Sequence, residues 1–80
     1  MTPGRAEPDL TTYAGRFGAR IRAIREKKGL TQQEVADAIG VNHTAIGHWE
    51  SGRYFPSVET LPLLAKALKQ GKVGNLFPEK

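Results

Sequence analysis

The 80-residue chain contains no cysteine. Disulfides therefore cannot hold it together, and thiolate nucleophiles and thiolate metal ligands are excluded. Long apolar runs are absent as well: the longest is about four residues, around Leu63 to Ala65, far short of a bilayer span. Residues 1–12 lack the apolar stretch of a secretory signal. There is no alternating β-branched run and no Asn-Gly turn, which argues against a sheet. With 39% apolar residues the chain has material for one small core, too little for a two-domain enzyme. These absences leave a soluble, cytoplasmic, single-domain protein without membrane association as the expectation.

Acidic residues are the scarcer sign, eight against twelve Lys and Arg, for a net charge of +4. Between Ala14 and Pro78 the bias steepens to ten basic residues against five acidic ones. Six of the ten, Arg16, Arg20, Arg22, Arg25, Lys27 and Lys28, are opposed within their own stretch only by Glu26. Such a balance favours a polyanionic partner, nucleic acid first and an acidic membrane surface second. Ordinary solubilising charge is the plainer reading.

Met1 to Thr12, with Pro3, Gly4, Pro8 and a single large apolar residue, Leu10, cannot bury enough surface to offset its ordering entropy. It reads as a flexible tail of residues 1–12 ahead of one domain, 13–80. That domain reads as all-α, a set of short helices separated by glycines. The first helix starts near Thr12 or Tyr13 and runs to Lys28, with Phe17, Ile21 and Ile24 at helical spacing and Gly29 as its stop. Gly15 and Gly18 weaken its early turns. Thr31 and Glu34 form a capping box for a second helix that Gly40 ends. Asn42 caps a third, reaching about Ser51, with Gly52 beyond it. A fourth carries Leu61, Leu64, Ala65 and Leu68, capped by Ser57 or Thr60. Any fifth, in Gly71 to Phe77, is expected to be short and dependent on packing.

The third helix has an unusual outer arc. At about 100° per residue, Ile46 shares its side with Asn42, Ala45, Trp49 and Glu50, while His43, Thr44, Gly47, His48 and Ser51 occupy the opposite arc. None of those five carries a formal negative charge, and none belongs to the Lys–Glu pairs that usually cover a solvated helix face. Short, neutral, hydrogen-bonding side chains suit close approach to base edges in a major groove. A small polar face with no partner is the bland alternative.

The order capping box, short helix, glycine turn, Asn-capped helix, in the run from Leu30 to Arg53 (LTQQEVADAIGVNHTAIGHWESGR), resembles the Cro/cI-type helix-turn-helix of the xenobiotic-response-element family of transcriptional regulators. Ile21-Arg-Ala-Ile-Arg-Glu is similar to the family's first helix, and Pro56-Ser followed by Leu61-Pro-Leu-Leu-Ala-Lys-Ala-Leu to its fourth. The resemblance implies a lambda-repressor-like domain of four to five helices with the helix-turn-helix at the second and third. It implies base contacts from Asn42, His43, Thr44, Gly47 and His48 and backbone contacts from Gln32, Ser51, Arg53 and Tyr54. It also implies a structural ion pair, Arg25 with Glu50, between the first and third helices. The partner implied is double-stranded DNA, and the activity that of a sequence-specific regulator, a repressor. The competing class is an antitoxin or protein-bridging module of the same fold, with a toxin or other protein as partner and DNA secondary.

A homodimer through residues 70–77, with Phe55, would supply a second half-site reader. Here the resemblance weakens, because Gly71 and Gly74 stand where relatives carry better helix formers. Phe55, Val73, Leu76 and Phe77 either cap the core or form an exposed patch. No cofactor or metal is expected: His43 and His48 lie too far apart around their helix to share an ion without other ligands. No nucleophile–base arrangement is visible, so catalysis is not expected. Near phosphates an imidazole gains from being charged, so binding should tighten as pH falls from 8 to 6.

Overall fold

A computed structural model of the chain describes residues 8–78. They form four α-helices, α1 (Tyr13–Lys27), α2 (Gln32–Ile39), α3 (His43–Ser51) and α4 (Leu61–Ala67), and a final 3₁₀ turn (Val73–Leu76). No strand occurs among the described residues.

The chain enters α1 through a closed turn. Thr12 N–H donates to Asp9 O at 3.1 Å, and both the N–H and the hydroxyl of Thr11 donate to Asp9 Oδ1. Thr12 Oγ1 then accepts from Gly15 N–H, the N-cap of α1. Of the tail expected over 1–12, residues 1–7 lie outside the described residues, and Asp9 to Thr12 form a hydrogen-bonded turn ahead of α1. The reason is local: the Asp9 carboxylate and carbonyl gather the donors that would otherwise be unpaired at a helix start.

Side-chain capping and glycine stops set the next two helices. At α2 both halves of the capping box are present: Glu34 N–H donates to Thr31 Oγ1, and Thr31 N–H to Glu34 Oε1. Gly40, at φ +90°, ends α2 in the left-handed conformation, and its N–H returns to Ala36 O. Asn42 follows as N-cap of α3, accepting from Thr44 N–H at 2.8 Å. Only Gly40 and Val41 separate the end of α2 from this cap, so the two helices turn sharply against each other. Thr60, the N-cap of α4, makes no side-chain cap bond to the helix, and Ser57 closes only the turn before it. The Ser57 and Thr60 hydroxyls bond each other, Ser57 Oγ also accepts from Thr60 N–H, and the helix begins at Leu61 with Pro62 in its first turn.

The core joins all of these elements: Phe17 and Ile21 from α1, Val35 and Ala36 from α2, Ile46 and Trp49 from α3, Leu61, Leu64, Ala65 and Leu68 from α4 and its end, and Leu76. Burial of a side chain the size of Phe17 or Leu64 contributes about 1.5–3 kcal/mol. Ile24, Leu30, Ile39 and Val41 are partly buried at its edge. Leu76 is wholly buried, so of the two roles open to it from the sequence it takes the place in this chain's own core.

The two glycines that weaken α1 by propensity permit its closest contact. A Cβ on Gly18 would sit 2.4 Å from both the Trp49 and the Glu50 carbonyl oxygens, so α1 lies directly against the last turn of α3. Gly15 meets the chain just beyond: a Cβ on Gly52 would fall 2.7 Å from Gly15 Cα. A bare backbone on α1 is what lets α3 pack this near.

Candidate nucleic-acid interface

The buried side of α3 holds Ile46, Trp49 and Glu50, and the contact with α1 fixes its rotation. As a result Asn42, His43 and Thr44 are exposed, while Gly47, His48 and Ser51 are half-buried at the surface. The arc read as neutral from the sequence therefore faces outward. Asn42 spends its Oδ1 on the cap, which leaves its amide nitrogen to donate elsewhere.

Behind this strip lies a polar relay. Arg25 and Glu50 are 9% and 5% exposed, burial that a charged pair tolerates only when closely matched. Arg25 Nε donates to Glu50 Oε2 at 2.5 Å and Nη2 to Glu50 Oε1 at 3.2 Å, a two-pronged pair. Arg25 Nη1 donates to Leu30 O at 2.8 Å, holding the α1–α2 turn. Gln32 Nε2 donates to Glu50 Oε1 at 3.1 Å. The first residue of α2 is thereby tied to the third helix.

The sequence did not signal that tie, and it changes the reading of Gln32. Its amide sits beside Gly47, where a Cβ would come within 3.9 Å of Gln32 Nε2. The start of α2 and the middle of α3 thus form one continuous surface. The capping box occupies the N–H groups of Thr31 and Glu34, so those of Gln32 and Gln33 remain at an open helix N-terminus, where the helix dipole favours an anion.

Beyond α3 the chain folds back over His48. The His48 carbonyl accepts from Arg53 N–H at 2.9 Å, from Ser51 Oγ at 3.1 Å and from Tyr54 N–H at 3.4 Å. The Tyr54 ring, 60% exposed, meets the His48 ring edge-on with centroids 5.0 Å apart. Arg53 is exposed and makes no ion pair among the described residues. Nothing in the sequence pattern pointed to the Tyr54–His48 contact, since side chains on a helix and on the loop after it meet only through the turn at Gly52.

The structure thus brings Gln32, Asn42, His43, Thr44, Gly47, His48, Ser51, Arg53 and Tyr54 to one side, with Arg25 and Glu50 as their support. It does not bring the basic run of α1 there. Arg22 pairs with Glu26 at 3.2 Å, Arg20 Nε donates to Asn75 O, and Arg25 is internal. Among the described residues no helix is long and apolar enough to cross a membrane, and no group of three or more His, Asp or Glu side chains assembles.

Comparison with known proteins agrees with this geometry. Residues 21–71 match the helix-turn-helix family model. The chain is 38% identical over 50 residues to the HTH-type transcriptional activator BcrR of Enterococcus faecalis, covering 62% of this chain but only 24% of that protein's length. It superposes on the restriction-modification controller protein C.AhdI of Aeromonas hydrophila with a TM-score of 0.73 at 34% identity, covering 78% of this chain and 92% of that one. With the P22 c2 repressor in complex with synthetic operator 9T the TM-score is 0.72 at 34% identity, covering 79% and 96%. The chain belongs to the helix-turn-helix family, in its Cro/cI-like, xenobiotic-response-element branch.

Proposed function

We propose that this chain is a sequence-specific DNA-binding regulator of transcription, a repressor, that inserts α3 into the major groove. The observation that carries the proposal is the outward, uncharged strip of α3, beside an open helix N-terminus at Gln32 and an unpaired Arg53. Asn42, His43, Thr44, Gly47 and His48 read base edges, and Gln32, Ser51, Arg53 and Tyr54 hold the flanking backbone. Gln32 serves both surfaces, because one amide hydrogen goes to Glu50 and the other is left for a phosphate. The likeness to the P22 c2 repressor, described in complex with an operator, supports the same docking.

A second copy completes the operator. Leu76 is internal, so pairing falls to the exposed edges of Phe55 and Tyr13, which form an aromatic cluster with Phe77 and the buried Phe17. Selection of bound sequences from a random duplex library tests both parts. A palindromic site with half-sites about one helical turn apart is expected. Recovery of no enriched sequence, with a binding constant independent of salt, would refute the reading.

A further inference from the structure

The side of α1 turned away from α3 has no role in the reading above. Gly18 and Arg25 face α3; Ala23 and Lys27 lie roughly half a turn around the helix from them. Two shallow depressions meet there. One, of about 430 Å³, lies along the end of α4 and the chain leading to the 3₁₀ turn. The other, of about 370 Å³, lies along the second half of α1. Gln70 lines both.

Arg20, Lys27, Lys28, Lys66, Lys69 and Lys72 line the two depressions, and no carboxylate does. None of the six makes an ion pair among the described residues. Apolar side chains lie between the cations, Ala23 and the half-buried Ile24 in one depression and the half-buried Val73 in the other, over the buried Ala65. A second copy of the chain would set like charges against each other. A phosphate backbone would satisfy the cations and leave the apolar side chains wet. A segment carrying both carboxylates and apolar side chains satisfies both features.

We propose that this face docks an acidic, leucine-like segment of a partner protein, on the opposite side of α1 from the recognition helix, so that protein and DNA are engaged together. Its test does not require DNA binding. The probe is a fluorescein-labelled peptide of repeated Glu-Glu-Leu, with a Glu-Glu-Ser peptide of equal length and a random-sequence duplex as comparisons. The ¹⁵N-labelled chain reports where each binds. The Glu-Glu-Leu peptide should move the amides of Arg20–Lys28 and of Lys66–Val73. The double variant Lys66→Glu, Lys72→Glu should weaken it about tenfold or more, with duplex affinity changed less than about threefold. Lys69 is kept, because its φ of +60° makes any change there a backbone matter. Lys27→Glu, in the other depression, is the second variant should the first lose its fold. Equal affinity for the Glu-Glu-Ser peptide, peptide shifts confined to His43–Tyr54, or a duplex that moves the Lys66–Val73 amides would each overturn the proposal, the last in favour of nucleic acid on this face.

Discussion

Gln32 and Glu50 are joined across two helices by a single 3.1 Å hydrogen bond, and the same Glu50 oxygen accepts from Arg25. A residue proposed to meet the DNA backbone therefore shares its acceptor with the ion pair that joins α1 to α3. Loss of either charge leaves the other buried.

The first prediction concerns that pair. Arg25→Met or Glu50→Leu alone should destabilise the fold by about 3–5 kcal/mol, since each strands a buried charge. The double replacement should recover much of the loss. Urea unfolding followed by the fluorescence of Trp49, the only tryptophan and a buried one, measures all three. Equal loss in singles and double would show that geometry rather than charge balance matters there.

Gly18→Ala should destabilise by about 1–3 kcal/mol, although alanine is the better helix former by about 1 kcal/mol. The added methyl meets two carbonyl oxygens of α3 that belong to backbone and cannot swing aside. Gly71→Ala, where nothing lies within 4 Å, should be neutral or stabilising by up to about 1 kcal/mol. Thermal unfolding of the two variants side by side decides the matter.

Division of labour on the DNA face gives a third test. Thr44→Ala and His48→Ala should each relax preference at particular base positions. Arg53→Ala should weaken all sequences alike and lower the salt slope by about one. Gly47→Ala should fold normally, because its methyl finds only the Gln32 amide at 3.9 Å, yet should bind operator less well by filling space on the reading strip. Affinities across a panel of single-base operator variants separate these outcomes.

Asp9 yields a pH prediction for the start of α1. Hydrogen bonds from the Thr11 hydroxyl and then the Thr11 N–H hold its carboxyl below the ordinary value of 3.8. A folded value lower than the unfolded one means the turn's contribution is full above 3.8 and is lost as pH falls through the lower value. Amide exchange at Thr11, Thr12 and Gly15 should therefore quicken in strong acid before the core opens, and Asp9→Ala should show the fast exchange at neutral pH.

Much of this arrangement was legible in the residues because it is made locally. Thr31 with Glu34, Gly40 and Asn42 act within a few residues of themselves, so α2, the turn and α3 could be placed and the outer arc of α3 could be named. Long-range relations were not legible. Gly18 reads as a weak helix position because the carbonyls it accommodates, those of Trp49 and Glu50, come from residues more than thirty positions later. Leu76, in a segment poor in helix formers, is held by packing on α4 and α1 instead of by propensity. The basic stretch of α1 looked like a single patch, yet helical rotation sends Arg25 inward and Lys27 to the far side.

The contact of Gly18 with the carbonyls of Trp49 and Glu50 pins α3 at its heel only. At its toe the His43 and Thr44 side chains are exposed, whereas Asn42 also holds the cap. If these residues read the operator as proposed, a new target is acquired by exchanging His43 and Thr44 while the heel and the Asn42 cap stay untouched.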